Sequence, residues 1–223
     1  MLKKVRLKNS TILLLGILFI AIGIFAGFSD YLASKKNKAY AEMNILLYES
    51  EIPKNIEAEQ SDIPSNILEP ELLNEDPQPI EYNPGYAYSY IGYLEVPKIN
   101  LKQGFVDINS KYNNVDYNIT IINGSTFPNE VNNNFILAAH SGNCSYCYFN
   151  KLYKLSLGDI AYLTYNKVKY YYKIVNIYEV EKTGKVSIYR DYNKNVLTLI
   201  TCTRNSDAKQ TVYILEEYNK ENI

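Results

Sequence analysis

One histidine, three cysteines and no tryptophan occur in 223 residues. Arginine is almost as scarce, limited to Arg6, Arg190 and Arg204. These gaps narrow the chemistry. A zinc centre would have to take His140, Cys144, Cys147 and Cys202 together, a single C-x-x-C without the second pair usual in zinc modules. The formal net charge is −1 and no run of basic residues marks a nucleic-acid surface, so nucleic acid is not an expected partner. There is no internal repeat, no low-complexity tract outside one linker, and no second long apolar run after the first thirty residues.

What is present begins at the N-terminus. Residues 11–28 form an uncharged, mostly apolar stretch of about eighteen residues, near the lower limit for a bilayer-spanning helix. Lys3, Lys4, Arg6 and Lys8 precede it, in a basic tail of residues 1–10 that the positive-inside tendency keeps cytoplasmic, although Lys35, Lys36 and Lys38 reduce the asymmetry. A cleaved signal peptide is the competing reading. The run is longer than a usual h-region, and no small-x-small cleavage site stands near Ser29. The expectation is a single-pass transmembrane helix at 11–28 in the cytoplasmic membrane, a stalk over 29–85, and an extracytoplasmic domain over 86–223. The stalk contains the acidic stretch 49–81, with ten acids against Lys54 and five of the eight prolines, which reads as an extended, self-repelling linker.

From Tyr90 onward the pattern is of short β-rich runs between turn residues, which excludes alternating βαβ units and points to a sandwich or barrel. Strands are expected at 91–96, 135–139, 160–165, 168–180, 197–201 and 211–215, with a hairpin across Asn166-Lys167. Helical signal is limited to 148–155, ended by Gly158. The fold class is mainly all-β: a closed or nearly closed β-barrel with one or two short helices, since closure removes exposed strand edges.

Two residues carry nucleophilic chemistry. Cys202 ends the apolar run Leu197-Thr-Leu-Ile-Thr-Cys202, and His140 follows Phe135-Ile-Leu-Ala-Ala139. An ordinary thiol is only about 3% ionised at pH 7, so it needs a nearby cation to become a ready nucleophile, and a protonated imidazole can then give its proton to a leaving amine. Each residue alone reads equally as core. Both, however, sit at the ends of expected strands and are followed by small polar loops, Ser141-Gly-Asn143 and Thr203-Arg-Asn-Ser206, where side chains leave the core.

Four stretches in order, Gly92-Tyr-Leu-Glu-Val-Pro-Lys-Ile99, Asn134-Phe-Ile-Leu-Ala-Ala-His-Ser-Gly142, Leu152-Tyr-Lys-Leu-Ser-Leu-Gly-Asp159 and Thr198-Leu-Ile-Thr-Cys202, resemble the successive sequence blocks of the sortases. The resemblance spans residues 90–215. It implies an eight-stranded barrel and a cysteine transpeptidase of Gram-positive cell surfaces that uses no cofactor. Such an enzyme cleaves a Leu-Pro-x-Thr-Gly-like sorting motif after Thr, holds the acyl group on Cys202, and passes it to a peptidoglycan-precursor or pilin amine. Its partners are surface proteins carrying that motif.

The sequence departs from the family at the arginine that normally follows the cysteine on the next strand. That strand opens Lys209-Gln-Thr-Val-Tyr213, and Gln210 stands at the expected place. Arg204 is the first candidate replacement, Lys209 the second and Arg190 the third, with Thr201 and Ser141 as further substrate-contacting positions. Only about a dozen residues separate the strand ending near Thr183 from the one opening at Val196, too few for the helical insertion of class B. Asp76-Pro77-Gln78 lacks the aromatic of a class C lid, which leaves a class D or E-like enzyme, or a divergent class A one. Cys144 and Cys147 could close a small disulfide loop outside the cell, remain free thiols, or join the zinc set named above. Two other functions compete with transpeptidation. A secreted cysteine peptidase or amidase of the common cell-wall type would place Cys before His, opposite to the order here. A non-catalytic binding module on an acidic stalk is the second.

Overall fold

The computed structural model describes residues 9–50 and 89–223. Eight strands form one sheet: β1 (Gly92–Val96), β2 (Leu101–Phe105), β3 (Thr120–Ile121), β4 (Asn134–Ala138), β5 (Ile160–Tyr165), β6 (Val168–Glu181), β7 (Val196–Cys202) and β8 (Lys209–Asn222). Their spatial order is β2-β1-β5-β6-β8-β7-β4-β3. A parallel bridge between Phe105, at the end of β2, and Ile119, just before β3, brings the two edges together. The sheet is therefore a nearly closed barrel, as the strand spacing in the sequence implies.

The interior is filled by alternate side chains, among them Leu94, Phe105, Phe135, Leu137, Leu163, Tyr172, Leu197, Leu199 and Leu215. A second apolar cluster, Ile136, Val196, Ile200, Val212 and Ile214, lies on the other face of β4, β7 and β8, where Val180, Val186 and Ile188 pack over it. Burial on both faces is why β4 and β7 read as continuous apolar runs in the sequence rather than as alternating ones. They are also neighbours in the one parallel pairing of the sheet, Asn134 opposite Val196 through Ala138 opposite Ile200.

The β5–β6 hairpin turns at Asn166 and Lys167, both at positive φ (50° and 62°), the conformation of a two-residue turn matched to strand twist. The strand expected at 168–180 runs one residue further, and that expected at 211–215 extends from Lys209 to Asn222. β2 and β3 were not anticipated. The helix expected at 148–155 is only a 3₁₀ turn at Leu152–Lys154, because Cys144 and Cys147 are bonded to each other and the chain folds back on itself, Phe149 N–H donating to the carbonyl of His140 (3.0 Å).

The N-terminal reading needs correction. The apolar stretch 11–28 is not a separate element but part of one helix, α1 (Asn9–Ser50). Among the described residues no helix is long and apolar enough to cross a membrane. Nothing between 29 and 50 stops the helix, since the lysines there are good helix formers and the first proline is Pro53. Its last turns pack on the barrel: Ala41, Asn44 and Ile45 are buried, the Tyr48 ring meets Tyr93 edge-on, and Glu49 pairs with Lys102 at 2.9 Å. The acidic linker beyond Ser50 and the Asp76-Pro77 segment lie outside the described residues.

Candidate active site

The parallel register of β4 and β7 builds the site. The pairing ends with Ala138 opposite Ile200, and His140 and Cys202 stand two residues further on, at the same end of the two strands. The continuation is held by hydrogen bonds, Ala139 N–H to the Ile200 carbonyl (3.3 Å) and Thr201 Oγ1 to the Ala139 carbonyl (2.8 Å). On the other side of β7, the antiparallel register sets Gln210 of β8 directly opposite Cys202. The next strand, β6, brings Val180 opposite Gln210. One row across the sheet thus reads Cys202, Gln210, Val180.

His140 and Cys202 both line an open groove of about 900 Å³, together with Ser141, Thr201, Arg204 and Tyr213. Cys202 is half-buried and is the one free cysteine among the described residues. The imidazole Nε2 of His140 lies 3.2 Å from Asp116 Oδ1, an acid in the loop before β3 that no sequence pattern flagged. Tyr213, at the groove, is held neutral by burial, with the Glu179 carboxylate adding to the effect, so its phenol is pushed up to about 12 and remains a hydrogen-bond donor at any physiological pH.

The candidate cations separate clearly. Arg204 lines the groove with its guanidinium over the Tyr153 ring, 4.2 Å from the centroid. Lys209 points away and pairs with Glu179 at 3.2 Å. Arg190 is a structural residue: one guanidinium nitrogen donates to the carbonyls of Asn132 (3.2 Å), Asn133 (3.2 Å) and Lys194 (3.4 Å). The cation nearest the sulfur is one the sequence did not suggest, Lys182, whose Nζ stands 3.9 Å from Cys202 Sγ.

Cys144 and Cys147 form a disulfide that closes a tight loop immediately after His140. Their sulfurs are thereby lost as zinc thiolates, and among the described residues no group of three or more His, Cys, Asp or Glu side chains is arranged to hold a metal. Closing so short a loop restricts the unfolded chain by about 2 kcal/mol. The double substitution Cys144→Ser with Cys147→Ser should lower unfolding stability by that amount or less, measurable by denaturant titration.

The fold is thus an eight-stranded barrel in which Cys202 ends one of two neighbouring parallel strands and His140 follows the other, both lining one groove. The sortase-domain profile matches residues 94–216, and the chain belongs to the sortase family, whose members are cysteine transpeptidases. Among solved structures, sortase A of Listeria monocytogenes matches at 22% identity with a TM-score of 0.51, over 60% of this chain and 90% of that one. Sortase C2 of Group B Streptococcus pilus island 1 matches at 25% identity with a TM-score of 0.51, over 58% of this chain and 74% of that one. A sortase D5 transpeptidase of Clostridium perfringens matches at 19% identity with a TM-score of 0.50, over 59% and 80%. No curated protein matches the chain.

Proposed function

We propose that this chain cleaves a Leu-Pro-x-Thr-Gly-like sorting motif after Thr through a thioester on Cys202 and passes the acyl group to a cell-wall or pilin amine. The observation that supports the reading is that the sole imidazole and the sole free thiol, at the same end of the paired strands β4 and β7, line one open groove. Cys202 is the nucleophile. His140 carries the proton that the leaving amine takes, and Arg204, on the groove wall, is the cation available to the bound peptide. Thr201 Oγ1 is committed to the Ala139 carbonyl and holds the two strands together, while Ser141 faces the groove beside His140.

An extracytoplasmic location is supported by the disulfide, a bond that persists in oxidising compartments. Tethering to the cytoplasmic membrane rests on the sequence of residues 1–28 and on the exposed apolar side chains of α1, such as Leu14, Phe19, Ile24 and Phe25. Among the described residues no helix occurs between β6 and β7, which supports a class other than B and leaves D, E or a divergent A.

The test is intact-mass spectrometry of the full-length protein after incubation with a panel of sorting-motif peptides. The expected result is one peptide that leaves its N-terminal fragment on Cys202, and whose turnover accelerates when a primary amine is added. Turnover indifferent to the amine would identify a cysteine peptidase instead. The absence of any acylated species across the panel, with Cys202 alkylating like a free thiol, would favour the binding module.

A further inference from the structure

Lys182 follows directly on β6, and its backbone N–H donates to the carbonyl of Ala208 at 2.7 Å, continuing the β6–β8 ladder by one position. It therefore has the same parity as Val180 and shares the sheet face of Gln210 and Cys202, one diagonal step from Gln210. Its Nζ stands 3.9 Å from Cys202 Sγ. No carboxylate contacts this ammonium among the described residues, whereas Lys209, on the adjacent strand β8, is already paired with Glu179.

We infer that Lys182 is the catalytic cation of this site, stabilising the Cys202 thiolate from β6 in place of an arginine on β8. The inference deepens the transpeptidase reading and rests on it for the reaction, though not for the sulfur–ammonium contact. In acylation the Sγ electron pair forms the thioester S–C bond, the peptide C–N bond breaks, and the leaving amine takes the proton carried by His140. When an acceptor amine attacks, the S–C bond breaks, its electron pair returns to Sγ, and the amine's surplus proton passes to His140. Negative charge sits on sulfur at the start and end of this cycle, facing the Lys182 ammonium. The other titratable and charged groups lining the groove with the sulfur are His140, Lys151, Lys154, Arg204 and Asp207. Lysine serves here because a single point charge suffices beside sulfur, where the arginine fork has no second acceptor to engage.

The experiment uses the full-length protein, in which Cys202 is the one reduced thiol and iodoacetamide therefore reports on it alone. Lys182→Gln should slow alkylation at pH 7 about tenfold and slow acyl-enzyme formation at least as much. Lys182→Arg should stay within about threefold of wild type in both. Lys173→Gln, which removes one charge from the same strand near Tyr218, should change neither by more than about twofold. Wild-type alkylation in Lys182→Gln, or equal losses in the Gln and Arg variants, would overturn the assignment. If no peptide acylates the wild-type protein, the transpeptidase reading fails while the alkylation series still decides the role of Lys182.

Discussion

Replacing Cys202 by alanine removes acyl-enzyme formation completely and lowers turnover of a sorting-motif peptide by at least about 10⁴-fold, while leaving the fold in place. The size follows from the covalent route. A nucleophile that forms the intermediate has no partial substitute, and removing it costs nearly the whole chemical rate enhancement, leaving only what binding and groove dipoles supply. No other thiol can take over, because Cys144 and Cys147 are joined to each other. Stability should change by no more than about 1 kcal/mol, since Cys202 is half-buried at the end of β7 and outside the interior cluster. Intact-mass spectrometry and circular dichroism on one preparation check both halves. An acylated species in Cys202→Ala would rule out this nucleophile.

The sequence already showed the strands that carry the site, and the reason is physical. β4 and β7 are buried on two faces, so apart from the buried Asn134, Thr198 and Thr201 their residues are apolar, and Cys202 at the end of β7 and His140 just past β4 stand out beyond those runs. The hairpin at Asn166-Lys167 was legible because only certain residues accept positive φ in a two-residue turn. β2, Leu-Lys-Gln-Gly-Phe, gave no signal because it mixes a lysine, an amide and a glycine, and the ring of Tyr90 fills the space where a side chain at Gly104 would stand. β3 is two residues long and has no pattern to read.

The end of α1 was legible in principle: Ala41, Asn44, Ile45 and Tyr48 recur at the three- and four-residue spacing of one helical face, hidden by the lysines before them and the acids after. Lys182 could not have been found by the same means. It reaches Cys202 only through two strand registers, β6 on β8 and β8 on β7, with a bulge in the first, and no local pattern encodes that sum. Asp116 is likewise brought to His140 by a loop closing between β2 and β3.

His140→Gln should lower kcat/KM for acylation by 10²- to 10⁴-fold, the range a positioned acid–base group contributes, because glutamine preserves polarity and approximate volume but carries no transferable proton. Asp116→Asn tests what lies behind the ring. The Asp116 carboxylate is 63% exposed and its contact with Nε2 is 3.2 Å, so water competes with it and the asparagine amide can still meet the ring; the expected loss is below about tenfold. The two substitutions together should therefore cost little more than His140→Gln alone, since Asp116 acts only through the imidazole it orients. Steady-state kinetics on the three variants with the best peptide of the panel make the comparison. Full additivity would mean that Asp116 contacts the peptide itself, and a His140→Gln enzyme within tenfold of wild type would show that the leaving amine takes its proton from another source.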